Sequence, residues 1–259
     1  MKQKECVDYI SSWLADYLKQ SNLKGFVVGV SGGIDSAVTS TLAAQTGKTV
    51  ICLELPIFQE EDQVNRANNH ISWLKQRYKN VRSLNINLGP VLQTFEQTVS
   101  LETAKENHTL ALANSKARLR MTTLYYYAQL FSSLVVGTGN KVEDFGVGFF
   151  TKYGDGGVDI SPIADLLKSE VYTIGKYMGI IDSILKAPPT DGLWDDNRTD
   201  EDQIGATYSE LEWAMNYKES NDKLNDKQRS VLKKYRELNT MNKHKMVSIP
   251  VCKIPSELR

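Results

Sequence analysis

The apolar run Phe26–Val30 passes directly into Ser31-Gly-Gly-Ile-Asp-Ser36, and a helical stretch follows from about Ser36 to Gln45 that Gly47 ends. No other segment limits the architecture so tightly. A buried strand that feeds a glycine turn and then a helix is a β-loop-α unit, and repetition of that unit gives a parallel sheet covered on both faces. Thr49–Leu55 reads as a second strand, Glu60–Tyr78 as a helix, and Val81–Leu88 as a third strand closed by Pro90. Leu134–Val136 makes a fourth strand ending at Gly137-Thr-Gly-Asn140, and Asp159–Ile163 is the expected fifth.

Helices account for the rest. Val7, Ile10, Trp13, Leu14, Tyr17 and Leu18 recur at helical spacing, so an amphipathic helix precedes the first strand and ends near Ser21 and Asn22. A long helical stretch from about Val91 to Phe131, broken near His108, separates strands three and four. After the fifth strand come helices at Lys168–Met178, from Thr199 onward, and at Asp226–Leu238, with a polar, proline-containing loop at 187–198. Thr199 and Asp202 have the spacing of a capping box. The expected fold is α/β: a doubly wound, Rossmann-like parallel five-stranded sheet with a helical C-terminal part, forming a single domain over residues 1–259. Ligands of such sheets sit at the carboxyl ends of the strands, where both glycine-rich loops fall.

Charge excludes some partners. The 31 basic residues equal the 31 acidic ones, so no overall positive field draws in nucleic acid or an anionic membrane surface. Cys6, Cys52 and Cys252 are too scattered for a disulfide framework. Charged residues interrupt the N-terminal helix, and no apolar run is long enough to span a bilayer, so the expected location is cytoplasmic.

The chemistry begins at the first loop. Gly32 and Gly33 allow backbone N–H groups to approach phosphate oxygens at a helix N-terminus. Gly29, Val30, Ser31, Gly32, Gly33, Ile34, Asp35 and Ser36 therefore form the candidate nucleotide-binding segment. The loop lacks the Gly-Lys-Ser/Thr ending of a Walker A motif and the three-glycine spacing of a dinucleotide fingerprint. Asp35 among phosphates would repel them unless a cation intervened, which makes it a candidate magnesium ligand.

Ser31-Gly-Gly-Ile-Asp-Ser-Ala37 resembles the pyrophosphatase loop of the ATP pyrophosphatase (adenine nucleotide alpha hydrolase-like) superfamily. Five further motifs, Asn114-x-x-Ala-Arg-x-Arg120, Gly137-Thr-Gly-Asn-Lys-Val-Glu-Asp144, Phe150-Thr-Lys-Tyr-Gly-Asp-Gly-Gly157, Pro189-Thr190 and His244-Lys245, follow in order along the chain. Together they resemble ammonia-dependent NAD synthetase. The resemblance implies a carbon–nitrogen ligase that adenylates deamido-NAD with ATP and then amidates it with ammonia, giving NAD, AMP and pyrophosphate. It also implies a homodimer without a glutaminase domain.

Residue by residue, the resemblance places Thr138, Lys168 and Thr190 on ATP and has Glu143 share the magnesium of Asp35. Lys152, Asp159, His244 and Lys245 are carried over to deamido-NAD, and Asp155 is the candidate for positioning ammonia. Asp35, Lys168 and Asp155 are the expected catalytic groups. Arg118 and Arg120 lie about 200° apart on a helix, and the reading assigns Arg118 to deamido-NAD and leaves Arg120 to brace a neighbour. Gln59 matches an ATP-side position, whereas Glu54 stands where many relatives carry a basic residue. The rival functions are a tRNA-modifying enzyme, which would want a basic face, and a nucleotide-binding module without turnover.

Overall fold

A computed structural model describes residues 1–99, 107–194, 198–218 and 224–259. Helix α1 (Gln3–Gln20) leads into β1 (Gly25–Gly29), α2 (Ile34–Gln45), β2 (Thr49–Glu54), α3 (Glu61–Arg77) and β3 (Val81–Asn85). Helices α4 (Gly89–Val99) and α5 (His108–Leu130) precede β4 (Ser133–Val136), and a π-helical turn covers Val142–Val147. Helices α6 (Lys168–Tyr177), α7 (Asp182–Leu185), α8 (Asp200–Ile204), α9 (Tyr208–Asn216) and α10 (Asp226–Met246) complete the chain, with a 3-10 turn at Ser256–Leu258.

The strands pair in parallel in the order β3-β2-β1-β4. The expected α/β fold is present with four strands instead of five. Where the fifth was expected, Ile160 makes one parallel bridge to Val136, and Gly137 N–H donates to the Ile160 carbonyl at 2.7 Å. Pro162 has no N–H to continue the ladder, and the chain turns over residues 162–165. Two boundaries also differ. Pro90 sits in the first turn of α4, where its missing N–H costs nothing, and α10 runs to Met246, well past Leu238. The break expected near His108 adjoins residues 100–106, which lie outside the described residues.

Strand periodicity divides the core. Phe26, Val28, Val50, Cys52, Leu134 and Val136 point to one face of the sheet, against α1, α2 and α6. Val27, Ile51, Leu53 and Val135 point to the other, where Leu92 and Ala128 of α4 and α5 cover them. Helix α2 is buried along nearly its whole length, and two of its polar residues bond inward: Thr41 Oγ1 donates to the Ala37 carbonyl at 2.7 Å, and Ser40 pairs with His70 Nε2 at 3.0 Å. Burial pushes His70 down to about 4, so its ring is neutral at pH 7. A separate apolar cluster of Val142, Val147, Ile204, Tyr208 and Leu211 joins the π-helical turn to α8 and α9, with Tyr235 and Leu238 of α10 packed against it.

Among the described residues no helix is long and apolar enough to cross a membrane. Leu42 is fully buried in the α2 face of the core, whereas Tyr9 on α1 is 73% exposed. Leu42→Ala should lower stability by about 2–5 kcal/mol in urea unfolding, and Tyr9→Ala should change it by less than about 0.5 kcal/mol. Equal effects would contradict the assignment of α2 as the core helix.

Candidate active site

The carboxyl ends of β1, β2 and β4 open into one cleft, walled by the loop after β1, by α5, by the segment 137–144 and by the loop 187–193. The loop after β1 is set by its own side chains. Ser31 N–H donates to Ser36 Oγ at 3.2 Å, Ser36 Oγ–H donates to the Gly33 carbonyl at 3.0 Å, and Gly33 N–H donates to Ser31 Oγ at 3.3 Å. Gly32 has φ +83°, and a Cβ there would stand 2.6 Å from the Gln63 carbonyl of α3. Glycine is required on both counts. Gly33 caps α2 without a side-chain hydrogen bond, so the helix presents its first N–H groups to whatever fills the cleft.

Asp35, in the first turn of α2, meets Lys168 at the start of α6 and Glu143 on the π-helical turn. Lys168 Nζ lies 2.6 Å from Asp35 Oδ2 and 2.9 Å from Glu143 Oε1. Asn140 holds both acids: its Nδ2 donates to Asp35 Oδ1 at 3.0 Å, while its Oδ1 accepts from the backbone N–H of Glu143 at 3.2 Å. Tyr208 O–H donates to Glu143 Oε1 at 2.5 Å, with Asp200 Oδ2 3.1 Å away, and the Lys168 ammonium sits 4.7 Å from the Tyr208 ring centroid. Burial alone would push Lys168 down, but Asp35 and Glu143 hold it above the ordinary lysine value. Burial opposes ionisation of Glu143 too, yet Lys168 and the Tyr208 hydroxyl keep it below the usual carboxylate range.

Further acids line the same cleft. Burial, reinforced by Glu143, Asp155 and Asp35, pushes Asp144 up to about 8. The Asp144 carboxylate lies where a side chain at Gly139 would be. Burial lifts Asp155 to about 6, although its Oδ1 accepts from Thr151 N–H at 2.8 Å and so closes the turn. Asp200 is pushed up to about 7, by burial first and by Glu143 second. The lining residues carry six carboxyl groups, Asp35, Glu143, Asp144, Asp155, Asp191 and Asp200, against two cations, Lys168 and Arg120.

Of the residues expected from sequence, Gly29, Val30, Ser31, Gly33, Ile34, Asp35, Ser36, Thr138, Glu143, Asp155, Lys168 and Thr190 line this cleft, as does Gln59. Gly32 faces α3, its carbonyl accepting from Arg66 Nε at 3.4 Å. Arg118, Lys152, Asp159, His244 and Lys245 lie elsewhere. Arg118 Nη2 donates to the Lys152 carbonyl at 3.3 Å, and Lys152 Nζ donates to the His244 carbonyl at 2.7 Å. Lys245 Nζ reaches the carbonyls of Gly148 and Phe150 at 3.0 and 2.9 Å. Asp159 is held apart from that chain, accepting from Tyr125 O–H at 3.0 Å and from Val135 N–H at 2.8 Å. His244 and Lys245 belong to the last turn of α10 and not to a solvated tail. Glu54 is buried between the amides of Asn68 and Asn85, at 3.1 and 2.7 Å.

Sequence reasoning missed Asn140, Asp144, Asp200 and Tyr208, and it left Arg120 out of the site. A usable signal existed for two of these: Thr199 with Asp202, and Thr207 with Glu210, both form capping boxes. Those boxes fix Asp200, which lines the cleft, and Tyr208, which bonds to Glu143, at the first positions of α8 and α9.

The NAD synthase family profile matches residues 6–248. An NH(3)-dependent NAD(+) synthetase of Syntrophomonas wolfei is 37% identical over 262 residues, covering 100% of both chains. Among solved structures, the NMN synthetase of Francisella tularensis superposes with a TM-score of 0.84 at 32% identity, covering 99% of each chain. The NH3-dependent NAD synthetase of Campylobacter jejuni gives 0.78 at 26% identity, over 98% of this chain and 100% of its own.

The raised carboxyl of Asp144 has a consequence for stability. Between its unfolded value near 3.8 and its folded value of about 8, the folded protein holds a proton that the unfolded chain has released, so stability falls as pH rises through that window. No hydrogen bond from a described residue is lost in Asp144→Asn. The melting temperature of the wild-type protein should therefore decline relative to Asp144→Asn from about pH 4 to about pH 8; parallel curves would show that Asp144 ionises normally.

Proposed function

The chain belongs to the NAD synthase family, and from that premise we propose that its cleft binds ATP, converts the carboxylate of deamido-NAD into an acyl-adenylate and passes it to ammonia. The observation that carries this reading is the meeting of an uncapped helix N-terminus with Asp35, Glu143 and Lys168 in one cleft at the sheet's carboxyl edge. The enzyme is a carbon–nitrogen ligase that uses ATP.

In the first step a carboxylate oxygen of deamido-NAD attacks the α-phosphorus, and the bond from that phosphorus to the β-phosphate oxygen breaks. The backbone N–H groups of the loop after β1 receive the departing pyrophosphate, whose charge grows as the bond breaks. In the second step ammonia adds to the acyl carbon, AMP leaves, and a proton is released. Making the adenylate replaces oxide, a poor leaving group, with AMP. Asp155 positions the nucleophile: at pH 7 its carboxyl, lifted to about 6, is mostly ionised, so it attracts an ammonium ion and accepts its proton, leaving neutral ammonia beside the adenylate.

Even with Asp144 largely and Asp200 partly protonated at pH 7, the cleft's acids outnumber its two cations, which supports a divalent ion as part of the bound state of a triphosphate. Asp35 and Glu143 suit magnesium, since their oxygens already converge on a single cationic atom, Lys168 Nζ, and carboxylate oxygens are the donors magnesium prefers. When bound, it would neutralise phosphate charge. Lys168 then serves the phosphates from the same corner of the cleft. Deamido-NAD is assigned to Arg118, Lys152, Asp159, His244 and Lys245 through the family resemblance; the hydrogen-bonded chain of Arg118, Lys152 and His244 supports a shared surface for it. Exposed Val91, Phe95, Leu110, Tyr126 and Leu130 on α4 and α5 support a homodimer, and the whole chain is read as one cytoplasmic catalytic domain.

The match to the Francisella tularensis NMN synthetase, with its TM-score of 0.84, favours a second reading in which nicotinate mononucleotide replaces the dinucleotide. The same assay separates the two. Protein incubated with ATP, magnesium, ammonium and each acid in turn should yield NAD, AMP and pyrophosphate in equal amounts from deamido-NAD; amide product from the mononucleotide alone would select the second reading. Asp35→Ala should lower pyrophosphate release and amide formation together by about 100-fold or more. Asp155→Asn should cut amide formation while pyrophosphate release persists, and full amidation by this variant would remove Asp155 from the mechanism.

A further inference from the structure

Arg120 is a cation in the cleft that lacks a bonded counter-ion. Its Nε–H donates to the Leu55 carbonyl at 3.1 Å, while Nη2 is buried and finds no acceptor among the described residues. Asp155 and Asp191 act on it through space, without a hydrogen bond, and burial pushes the guanidinium down to about 10. The other cation that lines the cleft, Lys168, is already shared by Asp35 and Glu143. An unpaired buried charge is costly, and a purely bracing role would have used up the guanidinium's donors on the protein. Here only Nε–H has a described partner.

Its place in the cleft narrows what it receives. Arg120 projects from α5 toward the end of β2, beside Leu55 and Gln59, and the turn carrying Asp155 lies on its other side. Its neighbours on α5 mark the same corner: Leu124 lies against Gly29 at the end of β1, and Met121 against Gly157 of the turn. The corner is the ground between the nucleotide loop and the ammonia-positioning acid, so it is where the two substrates become joined. A guanidinium fork whose Nη2 has no acceptor among the described residues matches the paired oxygens of a phosphate or a carboxylate.

We infer that Arg120 receives the oxyanion at the junction of the two substrates and positions the adenylate between the loop after β1 and Asp155. This deepens the function proposed above and rests on it. Two sources share the chemistry: the α-phosphate of the nucleotide and the carboxylate of its acceptor.

The test uses the full chain with Arg120→Met and Arg120→Lys. AMP differs from adenosine by one phosphate, and deamido-NAD differs from NAD by one carboxylate, so each pair reports one source as a difference in thermal shift. Arg120→Met, free of ligand, should melt no lower than the wild-type protein, since an uncompensated buried charge has gone. At least one pair should lose its difference in that variant, AMP against adenosine if the phosphate is held and deamido-NAD against NAD if the carboxylate is. Its kcat should fall by about 10-fold or more, with Arg120→Lys restoring only part because it keeps the charge and loses the fork. Should Arg120→Met fail to fold, Arg120→Lys is read by the same two comparisons.

The inference is overturned if both differences survive and kcat and KM stay within about two-fold of wild type, for Arg120 would then be a brace. Wild-type protein that forms no amide product refutes the function itself, whereas an active wild type beside an unaltered variant refutes only the role of Arg120.

Discussion

The Lys168 ammonium is the point on which the site is built. It is buried, and it is shared by two carboxylates that come from helix α2 and from the π-helical turn after β4. Burial pushes the Asp35 carboxyl up and opposes ionisation of Glu143, and the ammonium works against both; removing one member of such a buried group typically costs about 3–5 kcal/mol. The ammonium therefore fixes where three separate stretches of chain meet. Asn140 then removes remaining freedom by bonding to the other oxygen of Asp35, and Tyr208 by bonding to the same oxygen of Glu143 that the ammonium holds. A pair of acids aimed at one point, beside a helix start with unbonded N–H groups, is prepared for a charged ligand before one arrives.

That preparation has an electrostatic counterpart. Asp144 and Asp200 form no ion pair with a described residue, and burial keeps them partly protonated near neutral pH. The cleft thus limits its own negative charge when free of ligand. Acids that titrate close to the working pH let the charge of the cleft adjust to whatever charged ligand it binds.

Much of the sheet was legible because its signals are local. Phe26–Val30, Thr49–Leu55 and Leu134–Val136 are apolar runs bounded by turn residues, and each became a strand. The fifth strand failed for a local reason as well, since Pro162 interrupts the segment that would have paired. The end of α10 was hidden because its final turns pack through amides: Asn239 Nδ2 donates to the Gly146 carbonyl at 2.7 Å and Asn242 Nδ2 to that of Val147 at 2.9 Å, so no apolar period marks them. Within the site, Asp35 and Glu143 stood in motifs and Lys168 at the start of a helix after the expected fifth strand, whereas Tyr208 reaches Glu143 across 65 residues, and no spacing rule covers such a distance. Helical geometry separated Arg118 from Arg120 but gave no inward direction, because apolar residues occur around the whole circumference of α5.

The segment from Gly148 to Asp155 is moored on two sides. The last turn of α10 grips it through Lys245 and the His244 carbonyl, and α5 grips it through Arg118 and through Asn114, which accepts from Thr151 Oγ1–H at 2.5 Å. Asp155 at its end inherits its placement from a helix far away along the chain. Loss of that helix's terminal turn would leave the β-sheet intact and slacken Asp155, so damage at the C-terminal end would show itself as poor amidation by a protein that still folds.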